Sequence, residues 1–259
     1  MSYVPKRLEN TADVSRGQHS WRETLANLAI VLGVLSLSYL SLGIVAEKIA
    51  ERVPATWESR LAAMDSFFVD VASSEDRARI EPILDRLLAA GGLRRLRYRL
   101  IVTDDETPNA FAFPGGTIGV TKGLLDTVQG EAGLAMVIGH ELGHHDSRHV
   151  LKRLGRGLLI VLPATALSAE AGHWVGKFLQ VVESKYSRDQ EREADEIGLE
   201  LVNRAFGTTD GVLEFFEKML AKRGDRSPWA TMMATHPGLE ERIVDLRSQA
   251  SRLESNADR

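Results

Sequence analysis

The chain contains no cysteine. That absence removes disulfide scaffolds, thiolate zinc sites, iron–sulfur clusters and cysteine nucleophiles together, so any metal has to be held by imidazole and carboxylate groups. An excess of charge of one sign is also lacking: 32 Lys plus Arg stand against 36 Asp plus Glu, a formal charge of -4 with a pI near 6.0. Nothing in that balance draws the chain to a phosphate backbone, and nucleic acid is not an expected partner. Internal repeats and low-complexity tracts are missing as well. With 44% hydrophobic and 26% charged residues, the composition excludes a wholly disordered or collagenous chain and fits one domain with an appendage.

What is present begins with one long apolar run. No residue between Glu23 and Glu47 is charged, and residues 24–46 include Leu25, Leu28, Ile30, Leu35, Leu40 and Val45. As a helix rising about 1.5 Å per residue this run reaches roughly 35 Å, more than the ~30 Å of a hydrocarbon layer. It reads as a membrane-spanning helix behind an N-terminal tail, residues 1–23. A buried core helix seldom stays uncharged for so long, and a cleaved signal has a shorter apolar core of about 7–15 residues. Trp21 stands where an interfacial aromatic would. Lys6, Arg7, Arg16 and Arg22 precede the run and Lys48, Arg52 and Arg60 follow it. The small excess in front places the N-terminus in the cytoplasm and the rest outside it, on the periplasmic side in a bacterium. The absence of cysteine is compatible with that compartment.

Residues 47–69 read as a connecting helical segment and residues 70–259 as the main domain. Ser73 or Ser74 caps a helix carrying Ile80, Ile83, Leu84, Leu87 and Leu88, and Gly91 and Gly92 stop it. Alternation over residues 97–103 predicts one strand, and residues 117–121 a second after the Pro114-Gly115-Gly116 turn. Helical patterns follow over residues 131–156, 170–205, 209–222 and 237–253. The class is α+β, mainly helical with a small β-sheet, preceded by one transmembrane helix.

The sharpest local feature is His140-Glu141-Leu142-Gly143-His144. Positions four apart lie one above the other on a helix, so both imidazoles reach one ion from the same face. Glu141 is rotated by about 100° from His140, beside the ion's open position, where a general base acts. A catalytic zinc site takes three protein ligands and leaves the fourth position open, so a third ligand has to be found. Metzincin spacing would require Gly at 147 and His at 150. Ser147 and Val150 stand there, and His149 is one residue out of register. The other solution is a carboxylate from a later helix. In Ser187-Arg188-Asp189-Gln190-Glu191-Arg192-Glu193-Ala194-Asp195, Glu191 and Asp195 share one helix face. Glu191 can then bind the metal while Asp195 accepts the spare N–H of a ligating histidine and fixes its tautomer. Ala194 leaves room for the two helices to pack closely. A di-iron bundle is the rival metal reading, since Glu141 to His144 and Glu170 to His173 both fit Glu-x-x-His. Residues 145–169 contain no Glu, however, and His140 and Asp195 are left without a role.

Four segments in fixed order carry a resemblance: Asn109-Ala110-Phe111-Ala112-Phe113-Pro114-Gly115-Gly116, then His140 to His144, Ser187 to Asp195, and Thr235-His236-Pro237 with Arg242-Ile243. Together they resemble the HtpX-like, Oma-like and CAAX-prenyl-protease-type gluzincin metallopeptidases, over roughly residues 70–242. The resemblance implies a zincin-like domain over residues 70–259 with one Zn2+ per chain, held by His140, His144 and Glu191. Glu141 would be the general base and Asp195 the partner of a ligand. The implied activity is hydrolysis of peptide bonds in unfolded or damaged polypeptides, a protein quality-control role. Multi-span members often carry an aromatic residue after the third ligand. Arg192 and a single span point instead to an anchored, water-facing branch. The likeness also places His236 near the site, either donating to the oxyanion or filling the fourth zinc position.

Asn109 is the candidate substrate-binding residue, at a strand edge that an extended chain can pair with. Phe111 and Phe113 fit equally well as a buried aromatic plug. The alternative function is a non-hydrolytic zinc-stabilised chaperone or adaptor, which needs the open metal position permanently filled. His19, His145 and His149 read as surface or packing histidines and Arg188 as the partner of a carboxylate. Residues 158–167, broken by Pro163, together with His173, Trp174 and Phe178, read as an apolar flap or as core.

Overall fold

The computed structural model describes residues 20–62, 68–166, 185–222 and 229–257. Helix α1, Trp21–Ala50, covers the apolar run, with its large hydrophobic side chains exposed. Among the described residues it is the one helix long and apolar enough to cross a membrane. The chain divides into two units, Met1–Leu42 and Gly43–Arg259.

In the second unit, α2 (Ala55–Glu58) follows Pro54, and α3 (Ser74–Ala89) opens with a reciprocal cap. The Ser73 hydroxyl accepts the Asp76 N–H at 3.0 Å, and the Asp76 carboxylate accepts the Ser73 N–H at 2.8 Å. Ile80, Ile83, Leu84 and Leu87 on α3 are buried. The sheet has three strands, β1 (Arg99–Thr103), β2 (Ala110–Phe113) and β3 (Thr117–Thr121), in the order β1-β3-β2. The β1–β3 pair is parallel and the β2–β3 pair antiparallel, which leaves β2 at an edge. β2 is one strand more than alternation predicts. Ala110, Ala112 and Phe113 are buried and Phe111 is partly so, so no polar residue marks an outward face.

Helix α4 (Lys122–Thr127) leads into α5 (Glu131–Asp146), which is buried almost continuously from Gly133 to His145. A helix enclosed on all sides reads as uniformly apolar rather than amphipathic. Its chief neighbour is α7 (Arg188–Phe206), capped by Ser187 through a second reciprocal Ser–Gln190 box. Gly143 lets the two backbones meet: a Cβ there would lie 2.7 Å from the Ala194 carbonyl oxygen and 2.9 Å from its Cα. We expect Gly143→Val to force the helices apart, costing about 1–3 kcal/mol as overpacking usually does. Thermal unfolding checks the cost, and zinc titration checks a parallel loss of metal affinity.

Three boundaries differ most from the pattern; at one of them, within the helix expected over residues 170–205, residues 185–187 are not helical and α7 starts at Arg188. The helix predicted over residues 131–156 is broken: α5 ends at Asp146 and α6 (His149–Ala166) starts afresh. Between them Arg148 has φ 58, a left-handed conformation that a non-glycine residue adopts only when its surroundings hold it there. Its guanidinium provides the hold, donating to the carbonyls of Ala50 at 2.9 Å and Val53 at 2.7 Å. The third difference lies at residues 209–222, where Gly211 at φ 80 keeps the start out of helical conformation and α8 spans Glu214–Ala221. α6 runs past Pro163 to Ala166.

Helices α9 (Ala230–Thr235) and α10 (Leu239–Ala257) complete the unit. The core joins α3, the sheet, α5, α7, α8 and α10 through residues such as Leu87, Ile118, Ile138, Leu199, Phe216 and Leu246. The fold is α+β and mainly helical. His19, His173, Trp174, Phe178 and the beginning of the helix predicted over residues 170–205 lie outside the described residues.

Candidate metal centre

Two helices and one interhelical turn build the site. α5 supplies His140, Glu141 and His144, the first turn of α7 supplies Glu191, and His236 follows α9. All five side chains are buried, and Glu141, His144 and Glu191 have no exposure. His140 Nε2 lies 3.1 Å from His144 Nε2 and 3.2 Å from His236 Nδ1. Glu191 Oε1 lies 3.4 Å from His144 Nε2 and 3.1 Å from His236 Nδ1, and Glu191 Oε2 is 3.5 Å from His140 Nε2.

These separations test whether a zinc ion fits. Ligand atoms about 2.0–2.1 Å from a tetrahedral zinc lie roughly 3.3 Å from one another. The observed values bracket that figure. Chemistry agrees with geometry: Asp195 Oδ1 stands 2.9 Å from His140 Nδ1 and accepts its proton, which leaves the His140 Nε2 lone pair facing the centre. A cation compensates lone pairs and a carboxylate brought so close together.

Electrostatics prepare the donors. Burial holds the His144 imidazole well below its ordinary pKa, so it stays neutral and able to bind metal. Burial also pushes the Glu191 carboxyl upward, but His236 and Arg242 outweigh it and keep Glu191 well below the usual carboxylate range. Asp195 is likewise lowered, burial being overcome by Arg242. Arg242, on α10, is the organising cation. It donates to Glu191 Oε2 at 2.6 Å and forms a two-pronged pair with Asp195 at 2.6 and 2.7 Å.

Glu141 lies beside the donors without joining them. His236 Nε2 lies 3.7 Å from its Oε1, and both of its oxygens are buried without a hydrogen-bond partner among the described residues. A buried carboxylate left unpartnered is poised for a group that comes and goes. A cleft of about 590 Å³ is bordered by β2, with Asn109, Phe111, Tyr186 and Thr235 in its wall, and His236 is the member of the donor set that reaches it. Asn109 is brought to the cleft and not to the metal donors, and its Oδ1 also has no partner among the described residues. Phe113 is fully buried and Phe111 meets Phe68 with ring centres 5.1 Å apart and planes tilted by 40°, so the plug reading describes the rings while Asn109 lines the cavity.

The sequence reading missed two residues. Arg242 has its charge partners far away in the chain, and no local spacing announces its role. Tyr186 stacks on His144 at 3.6 Å, 13° from parallel, and a lone aromatic before a helix cap gives no signal of that. His145 is a packing histidine, its Nε2 3.2 Å from the Thr117 carbonyl. Arg188 pairs with Glu241 at 2.7 Å.

A buried His-Glu-x-x-His helix crossed by a second helix bearing Glu-x-x-x-Asp defines a zincin-like metallopeptidase domain. Comparison with known proteins gives the family. The model of peptidase family M48 matches residues 74–250, and the chain belongs to that family. Its members use zinc, and the described residues supply a group fit to hold it. The chain is 33% identical over 170 residues to the mitochondrial metalloendopeptidase OMA1 of Schizosaccharomyces pombe, covering 63% of this chain and 50% of that protein. It is 30% identical over 162 residues to the metalloprotease YcaL of Escherichia coli, covering 60% and 62%. A third relative is the beta-barrel assembly-enhancing protease of the same bacterium, 26% identical over 200 residues and covering 67% and 40%. The chain thus spans about half the length of the curated relatives it matches.

Proposed function

We propose that this protein is a membrane-anchored zinc endopeptidase that cuts unfolded or damaged polypeptides. The observation that carries the reading is the set of separations among His140, His144 and Glu191, which suit one zinc ion, with the unpartnered Glu141 carboxylate at its side. When bound there, zinc supplies a Lewis acid that acidifies water toward a pKa of about 7 and polarises a carbonyl oxygen. Glu141 takes the proton from the water attacking the peptide carbonyl, and the same carboxyl delivers it to the departing amine nitrogen as the C–N bond breaks. Asp195 and Arg242 keep His140 and Glu191 in place while this happens. The edge of β2 offers main-chain groups to an extended substrate, and Asn109 offers a side-chain amide. Such recognition favours unfolded chains over particular sequences. The apolar helix Trp21–Ala50 supports a single-pass anchor, and the basic residues before it support a catalytic domain outside the cytoplasm.

His236 distinguishes two resting states. Its Nδ1 takes the place of a fourth donor, which supports a closed site that must release His236 before substrate enters. The same four-donor set is what supports the second reading, a zinc-stabilised adaptor without hydrolysis. Casein cleavage by the full chain in detergent, with and without a chelator, separates the two: chelator-sensitive cleavage is expected, and none would favour the adaptor. In that assay His236→Ala should cut faster than wild type. A fall in activity with zinc retained would instead assign His236 to stabilisation of the oxyanion.

A further inference from the structure

The turn that breaks α5 from α6 delivers one side chain back onto the metal centre. His149, the first residue of α6, is buried, and its Nδ1 lies 3.0 Å from Nδ1 of His144. Its other nitrogen, Nε2, lies 3.3 Å from Glu193 Oε2, and the Ser147 hydroxyl donates to Glu193 Oε1 at 2.7 Å. Glu193 belongs to α7, two positions beyond Glu191, so this chain ties both ligand-bearing helices together.

Only one proton arrangement serves both ends of the chain. Glu193 is an acceptor, so His149 carries its proton on Nε2 and presents a lone pair at Nδ1. That lone pair accepts a proton carried by His144 Nδ1. His144 is then unprotonated at Nε2, the nitrogen that lies 3.1 Å from His140 Nε2 and 3.4 Å from Glu191 Oε1. The reverse arrangement would point an N–H of His144 into the donor set and forfeit a ligand. We infer that His149, backed by Glu193 and Ser147, is a positioning residue that fixes the tautomer and ring plane of His144 for zinc, as Asp195 does for His140.

The left-handed Arg148 belongs to the same device. An unbroken helix through residue 149 would carry that side chain around the far side of α5, because positions five apart lie about 140° from one another. The turn at φ 58 brings it back over His144, and the Arg148 guanidinium on Ala50 and Val53 holds the turn.

The inference rests on the zinc reading of the site, and its test reads metal affinity rather than activity. Zinc affinity of the full chain in detergent is measured by competition with a chelator, alongside thermal unfolding of the zinc-free forms. His149→Phe keeps a ring and removes the acceptor, whereas His149→Asn keeps an acceptor near the position of Nδ1. We expect His149→Phe to bind zinc about 10- to 100-fold more weakly with zinc-free unfolding close to wild type, and His149→Asn to recover most of the loss. Wild-type affinity in His149→Phe overturns the inference. So does an affinity loss matched by a fall in zinc-free stability, or a His149→Asn variant no better than His149→Phe. A wild-type chain that binds no zinc overturns the metallopeptidase reading itself, and that outcome is visible before any variant is made.

Discussion

Glu141→Gln is expected to keep its zinc and to lose peptide hydrolysis by about 10²- to 10⁴-fold, the usual contribution of a positioned general base. The amide fills the same space as the carboxylate and leaves His140, His144 and Glu191 untouched, so metal content should match wild type. What disappears is an acceptor able to take a proton from water and return it to the amine. In the resting structure the two Glu141 oxygens have no partner among the described residues, so the substitution breaks no existing hydrogen bond and stability should change little. Steady-state cleavage of an unfolded protein substrate, measured together with metal content, checks both halves. Turnover retained at full zinc occupancy would remove Glu141 from the chemistry.

The second large effect is expected at Arg242. Arg242 is 5% exposed, and its guanidinium faces two buried carboxylates, Glu191 and Asp195, at hydrogen-bond distance. Arg242→Met removes the cation and leaves both anions behind in a water-poor site. Breaking a buried ion pair from one side typically costs about 3–5 kcal/mol. The zinc-free protein should show the full cost as a marked fall in unfolding temperature. Zinc supplies positive charge to Glu191 but not to Asp195, so the loaded protein should recover part of the stability and not all of it. Equal losses with and without zinc would mean that Arg242 stabilises the fold independently of the metal donors.

Legibility in the sequence followed the distance over which each interaction acts. His140 and His144 are one helical turn apart, as are Glu191 and Asp195, and helical geometry alone assigns each pair to a face. Helix α3 announced itself through a serine cap that closes within three residues, whereas the helical pattern over residues 170–205 hid the Ser187–Gln190 cap at which α7 starts. Arg242 reaches across 47 positions to Asp195, and no periodicity encodes such a link. Polarity alternation did not mark strand β2, offered only as a strand edge at Asn109, because Ala-Phe-Ala-Phe is covered on nearly every side and alternates in size. The break at Arg148 was hidden for another reason. Arginine is a good helix former, and its left-handed conformation is imposed by carbonyls from Ala50 and Val53, which the local sequence does not contain. That same break is what carries His149 to His144, so a residue read as a packing histidine sits 3.0 Å from a candidate ligand.

The most direct test is zinc content per chain after dialysis against a mild chelator, for wild type, His144→Ala and Glu191→Ala. The account predicts about one zinc in the wild-type chain and a large loss in each variant, since either change leaves fewer strong donors around the ion. Full zinc retention by Glu191→Ala, or no zinc in the wild type, would contradict it.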